Sequence, residues 1–236
     1  MKLGTLYLIP VTLGDDNITQ VLPPDVVSIA QQLDTFVVES EKSARHFLST
    51  IKTAKPVREL TLNLLNEHTE DKDIAVLLAP LLAGKDLGLM SDAGCPGVVD
   101  PGAKLVELAH QKGIRVIPLV GPSSILLSLM ASGLNGQQFA FLGYLPVDKM
   151  QRNQKLKEIE KRSLTHKETQ LFIETPYRNQ HMLEAILSVC QPNTRLCIAC
   201  DISLSSEMIM TKTVTNWKKS PLPDLHKRPT VFLLLS

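Results

Sequence analysis

Nine short apolar, β-rich runs, most of them separated by stretches of helical period, constrain this chain more than any other feature. They lie at residues 5–9, 35–38, 87–90, 115–120, 139–142, 170–173, 195–199, 208–213 and 230–235. Strand-length runs alternating with helical patterns imply α/β layers, with a largely parallel sheet in the first half. The last two runs have no obvious long helix between them, which predicts a more mixed sheet in the second half. The first alternating block ends near residues 118–121, and a new helix begins after Pro122 and two serines. The expectation is two α/β domains, 1–118 and 119–236. No internal repeat or low-complexity tract interrupts them.

A chain of 236 residues with 44% hydrophobic content can bury a conventional core. No segment approaches the roughly 18 to 20 apolar residues of a membrane span, and no export signal is visible, so a cytoplasmic protein is expected. Cys95, Cys190, Cys197 and Cys200 are too few and too scattered for a disulfide framework. Cys197 and Cys200 have the spacing of a metal knuckle, but they lie in a strand-like run without a second pair or a histidine pair. They read as buried structural thiols, and no metal is expected.

The net charge of +1 gives no global argument for nucleic acid. Its distribution does, because residues 149–167 carry five net positive charges while the remainder is net acidic. A helix presenting Lys155 and Lys157 there suits a phosphate backbone; the plainer alternative is a solvated face with Leu156 and Ile159 turned inward.

The loop Ser91-Asp92-Ala93-Gly94-Cys95-Pro96-Gly97-Val98-Val99-Asp100-Pro101-Gly102 joins an apolar run to a helical pattern. Loops of this kind, at the carboxyl ends of strands, are where α/β proteins bind ligands. Asp100 and Pro101 are explained by helix capping. Gly94 and Pro96 are not, and they suit a backbone that approaches a ligand in a fixed conformation. The sequence has no Gly-x-Ser-x-Gly elbow, no phosphate-cradling Walker loop and no Gly-x-Gly-x-x-Gly after the first strand.

Further motifs keep company with this loop: Gly4-Thr5-Leu6-Tyr7-Leu8-Ile9-Pro10, Gly121-Pro122-Ser123-Ser124, Ser132-Gly133-Leu134, Leu142-Gly143-Tyr144-Leu145-Pro146 and Glu174-Thr175-Pro176-Tyr177-Arg178. In this order the chain resembles, over nearly its whole length, the tetrapyrrole methylase superfamily of S-adenosylmethionine-dependent methyltransferases. Within it the likeness is to the branch that methylates a cytidine ribose 2′-hydroxyl of small-subunit ribosomal RNA. The resemblance implies a class III methyltransferase fold with the methyl donor held in a cleft between the two domains, a homodimer and an RNA partner. It also implies donor contacts at Pro10 in the first loop, at Ser91, Asp92, Gly94, Cys95, Pro96 and Val98 in the central loop, at Ser123 and Ser124, and at Thr230.

Methyl transfer from a sulfonium is an in-line displacement, so the protein's task is to position and desolvate. A ribose hydroxyl is a poor nucleophile and benefits from a base or from stabilisation of the developing alkoxide. Glu39 and Arg45 match the acidic and basic residues of the RNA branch's Glu-Asp-Thr-Arg segment and its sequel. Ser40, Glu41 and Lys42 stand where that branch has Asp, Thr and Arg. Glu174 and Arg178 match its Glu-Ser-Pro-His-Arg segment, which implies a catalytic or donor contact for the first and an RNA contact for the second. Asp201 and Glu207 roughly match later acidic positions. Two alternatives stand beside this reading: a tetrapyrrole methyltransferase, and a non-catalytic RNA-binding relative, the latter motivated by the altered Ser40-Glu41-Lys42 segment.

Overall fold

The computed structural model describes residues 2–14 and 17–236, so Asp15 and Asp16, which continue the first loop in sequence, lie outside the described residues. The chain divides into two compact units, Met1–Ser123 and Ser124–Ser236.

In the first unit β1 (Thr5–Leu8), β2 (Thr35–Val38), β3 (Thr61–Leu64), β4 (Leu87–Met90) and β5 (Arg115–Pro118) form one sheet in the order β3-β2-β4-β1-β5. Every pairing is parallel. Parallel neighbours need crossovers, and the helices Pro24–Gln32, Glu41–Ile51 and Gly102–Gln111 are among the segments that supply them. Alternation along the strands sorts side chains onto two covered faces. Ile9, Phe36, Val38, Leu48 and Met90 pack on one, and Leu6, Val37, Leu87, Leu89 and Leu105 on the other. Strand β4 is buried at all four positions, as expected of a central parallel strand. Because the strands run the same way, the loops after β1, β2, β4 and β5 all leave from one edge of the sheet.

The second unit is mixed, as its sequence predicts. Strands β6 (Phe139–Tyr144), β7 (Thr169–Ile173), β8 (Arg195–Cys200), β9 (Met208–Thr213) and β10 (Thr230–Leu235) take the order β6-β7-β10-β8-β9. Only β6 and β7 pair in parallel. Phe172 and Phe232 stack across β7 and β10 with ring centroids 5.8 Å apart, and the buried Trp217 donates its indole N–H to the Leu196 carbonyl at 2.9 Å.

Between β6 and β7 runs the helix Lys149–His166, begun by Asp148, whose carboxylate accepts the Gln151 N–H at 2.9 Å. Leu156 and Ile159 face inward as expected. Glu160 does too, accepting hydrogen bonds from the Gln191 N–H at 2.7 Å and the Thr194 hydroxyl at 2.6 Å. One of the two acids in this segment is therefore spent inside, and the outer face is more basic than the composition implies. All four cysteines are free thiols, with Cys190, Cys197 and Cys200 buried and Cys95 half-buried. Cys197 and Cys200, three positions apart on β8, project to opposite faces of the sheet. Among the described residues no helix is long and apolar enough to cross a membrane.

Candidate active site

In the first unit the loops after β1, β4 and β5, which are neighbouring strands, are laced together at the carboxyl edge of the sheet. The Val11 N–H donates to the Gly94 carbonyl at 2.9 Å, and the Gly94 N–H returns to the Thr12 carbonyl at 3.4 Å. Gly94 has φ +71°, and a Cβ there would lie 3.2 Å from Leu13 Cδ2 and 3.3 Å from the Pro122 carbonyl oxygen. The Cys95 thiol donates to that same carbonyl at 3.3 Å. At Gly121 the approach is closer still, since a Cβ would fall 2.2 Å from Pro10 Cβ and 2.3 Å from Pro10 Cγ. Backbone from three loops thus converges where a Cβ is excluded at Gly121 and is crowded and backbone-strained at Gly94.

The central loop is also braced internally. The Ser91 hydroxyl donates to the Ala93 carbonyl at 3.2 Å, and the Asp100 carboxylate accepts the Gly97 N–H at 2.8 Å and the Gly102 N–H at 2.7 Å. Asp100 thus tethers the first amide of the helix Gly102–Gln111, but the sequence expectation is corrected in its detail: Pro101, and not Asp100, occupies the N-cap position, and Pro101 is not the first helical residue. Burial raises its pKa while the two amides pull it back. Pro96 and Gly94 are buried, whereas Asp92 and Val98 are exposed.

Glu39 follows the last residue of β2, which pairs with β4, and its carboxylate accepts the Asp92 N–H at 3.1 Å. Burial is the largest cause raising its pKa. The Asp92 amide opposes this, and the charges of Asp92, Asp100 and Glu67 add to it. Arg45 goes elsewhere: on the exposed face of the helix Glu41–Ile51 its guanidinium pairs with Glu41 at 3.0 Å. Glu41, one of the three residues that depart from the Glu-Asp-Thr-Arg segment, is the one that holds Arg45.

Beside the Glu39 loop lies a cleft of about 380 Å³, within the size range of small-molecule sites. Thr12, Lys42, Ser43, His46, Ser91 and Asp92 are among its lining residues. The sequence reading included Ser91 and Asp92, and Thr12 lies in the loop Pro10 to Gly14 that the resemblance assigns to donor and substrate, whereas Ser43 and His46 were missed. Positions 42, 43, 46 and 50, all lining the cleft, share one helix face directly after Glu39, and that periodicity was the available signal.

In the second unit Glu174 follows β7 and is buried, its side chain 1% exposed. Its Oε1 accepts the Arg178 guanidinium and the Thr175 N–H, each at 2.7 Å, while its Oε2 is buried with no hydrogen-bond partner among the described residues. The carboxylate raises the pKa of Arg178. Thr230, at the start of β10, is also buried and donates its hydroxyl to the Arg228 carbonyl at 3.0 Å. Asp201 pairs with Arg228 at 2.7 Å, and Glu207 accepts the Ser203 N–H at 2.7 Å. Lys155 sits 3.8 Å from Glu158, while Lys157 and Lys161 are exposed and make no ion pair among the described residues. Ser123 is the last residue of the first unit, and Ser124 opens the helix Ser124–Ser132 of the second.

No family model matches the chain. It is 33% identical to the ribosomal RNA small subunit methyltransferase I of Vibrio cholerae over 86% of this chain and 67% of that protein. To the protein of the same description from Escherichia coli O157:H7 it is 31% identical, over 87% and 68% respectively. To that from Haemophilus influenzae it is 28% identical, over 98% and 78%. In three dimensions it matches the crystal structure of the methyltransferase CobJ with a TM-score of 0.65 at 18% identity, covering 99% of this chain and 94% of that one. The last likeness shows the fold alone, a pair of α/β units shared with that structure.

Proposed function

The chain belongs to the ribosomal RNA small subunit methyltransferase I family and is a methyltransferase, and on that premise we propose that it methylates small-subunit ribosomal RNA at a ribose 2′-hydroxyl, with S-adenosylmethionine as donor. The observation that carries this reading is the lacing of the 10–14, 91–97 and 119–122 loops around Gly94, with the half-buried carboxylate of Glu39 beside it. Closely packed backbone, with no room for a Cβ at Gly121 and little at Gly94, next to a cleft of about 380 Å³ suits a donor held largely by loops.

The donor supplies a sulfonium methyl carbon open to in-line displacement. Pro10, Ser91, Asp92, Gly94, Cys95, Pro96 and Val98, with Ser123, Ser124 and Thr230, are the residues assigned to hold it. Glu39 takes the hydroxyl proton, because a carboxylate with a raised pKa is a stronger base than an ordinary one at neutral pH. Arg45, engaged by Glu41, is given no step. Glu174 fixes Arg178, and Arg178, Lys155 and Lys157 face the RNA. The same reading carries a cytoplasmic homodimer, for which Met130, 78% exposed on the helix Ser124–Ser132, offers apolar surface to a second copy.

Calorimetric titration with S-adenosylmethionine and S-adenosylhomocysteine tests the donor assignment, with one saturable site per chain expected. Methyl transfer to small ribosomal subunits tests the acceptor. Absence of binding at millimolar donor, or transfer to a tetrapyrrole instead of RNA, overturns the corresponding half of the proposal.

A further inference from the structure

The edge of the second sheet that carries Glu174 also carries a surface that no step of the reaction uses. Two turns are pinned there. The Lys227 N–H donates to the Pro176 carbonyl at 3.0 Å, Asn179 Nδ2 donates to the Arg228 carbonyl at 2.6 Å, and Arg228 is held by Asp201 at 2.7 Å. From these pinned turns project Tyr177, His226 and Lys227, all exposed, with Tyr177 at 67%. The His226 ring meets the Tyr177 ring edge-on at 6.1 Å between centroids, and Lys227 Nζ stands 5.8 Å from the Tyr177 centroid. Tyr144, 56% exposed, ends β6 beside Ile173 and so lies along the same edge. Two of the chain's three tyrosines are therefore displayed here.

We propose that Tyr177, flanked by His226 and Lys227, is a stacking platform for an unpaired nucleobase of the RNA. The proposal rests on the RNA reading and deepens it by naming the form of RNA recognised. A rigidly anchored aromatic face left in water beside cations is the combination by which proteins hold single strands, since every base has a π-face and every phosphate a charge. Bases within a duplex are already stacked, so this surface selects unpaired nucleotides. Arg178, fixed by the buried Glu174, adds a further cation at the adjoining residue.

The test is fluorescence anisotropy with a short cytidine-containing RNA, single-stranded and as its duplex, using wild type, Tyr177→Ala, Tyr177→Phe and Lys227→Met, together with methyl transfer to small subunits. Tyr177→Ala is expected to weaken single-strand binding about 5- to 150-fold, the range for losing one base–aromatic stack, with its salt dependence unchanged. Tyr177→Phe keeps the ring and binds as wild type. Lys227→Met lowers the salt slope by about 0.7. Because Tyr177 is exposed, the thermal midpoints of its variants match wild type. Equal binding by wild type and Tyr177→Ala, or an equal loss in Tyr177→Phe, overturns the platform and leaves the RNA reading standing. A wild-type protein that neither binds RNA nor methylates small subunits overturns both.

Discussion

The Glu39 carboxylate accepts the Asp92 backbone N–H at 3.1 Å, joining residues 53 apart in sequence at the ends of two adjacent parallel strands. Glu39→Gln preserves an acceptor for that amide and removes the ionisable group. If Glu39 takes the proton, turnover falls by about 10²-fold or more while donor affinity is unchanged. Unchanged turnover removes it from the mechanism.

The same substitution has a stability signature. Burial raises the Glu39 pKa above the usual 4.5, so over that window the folded state binds more protons than the unfolded one, and stability falls as pH rises through it. Glutamine carries no such penalty. Glu39→Gln is expected to unfold at a higher temperature than wild type at neutral pH, with the advantage gone below pH 4.5. Thermal midpoints across pH read this directly, and a gap that widens on acidification refutes it.

Gly121→Ala places a methyl group 2.2 Å from Pro10 Cβ, a ring atom that cannot swing aside. Overpacking of this kind costs about 1–3 kcal/mol, to be read as a lower urea midpoint at constant slope. Donor affinity falls with it, because the 10–14 loop is displaced.

Arg178→Ala leaves the buried Glu174 carboxylate with the Thr175 amide as its remaining donor among those described. The expected loss is about 3 kcal/mol, larger than for Glu174→Gln, in which no buried charge is stranded. Denaturant titration of the two variants compares them.

Replacing Lys155, Lys157 and Lys161 together with glutamine removes charge from the outer face of the helix Lys149–His166. RNA affinity is expected to drop at low salt, and the slope of log affinity against log salt to flatten by about 2. A loss independent of salt indicates misfolding instead.

Most elements were legible because their apolar runs are long enough to show a period. Strand β3, Thr61–Leu64, was not: it lies at the sheet edge, is only partly covered, and its four residues include Asn63. Its strand identity comes from pairing with β2, a contact that local sequence does not encode. The inward turn of Leu156 and Ile159 followed from spacing, but that of Glu160 did not, since its partners Gln191 and Thr194 lie 31 and 34 residues away.

By itself the sequence determined the alternation of strands and helices, the parallel first sheet and mixed second one, and the superfamily fingerprint, because each depends on residue type and spacing within a few turns of chain. Tertiary structure alone decided that Thr12, Ser43 and His46 share a cleft with Ser91, and that the Tyr177 ring meets His226 and Lys227, 49 and 50 residues away in sequence. Those relationships depend on which strand ends become neighbours, and that is settled by burying two faces of one sheet at once, a property of the whole packed unit.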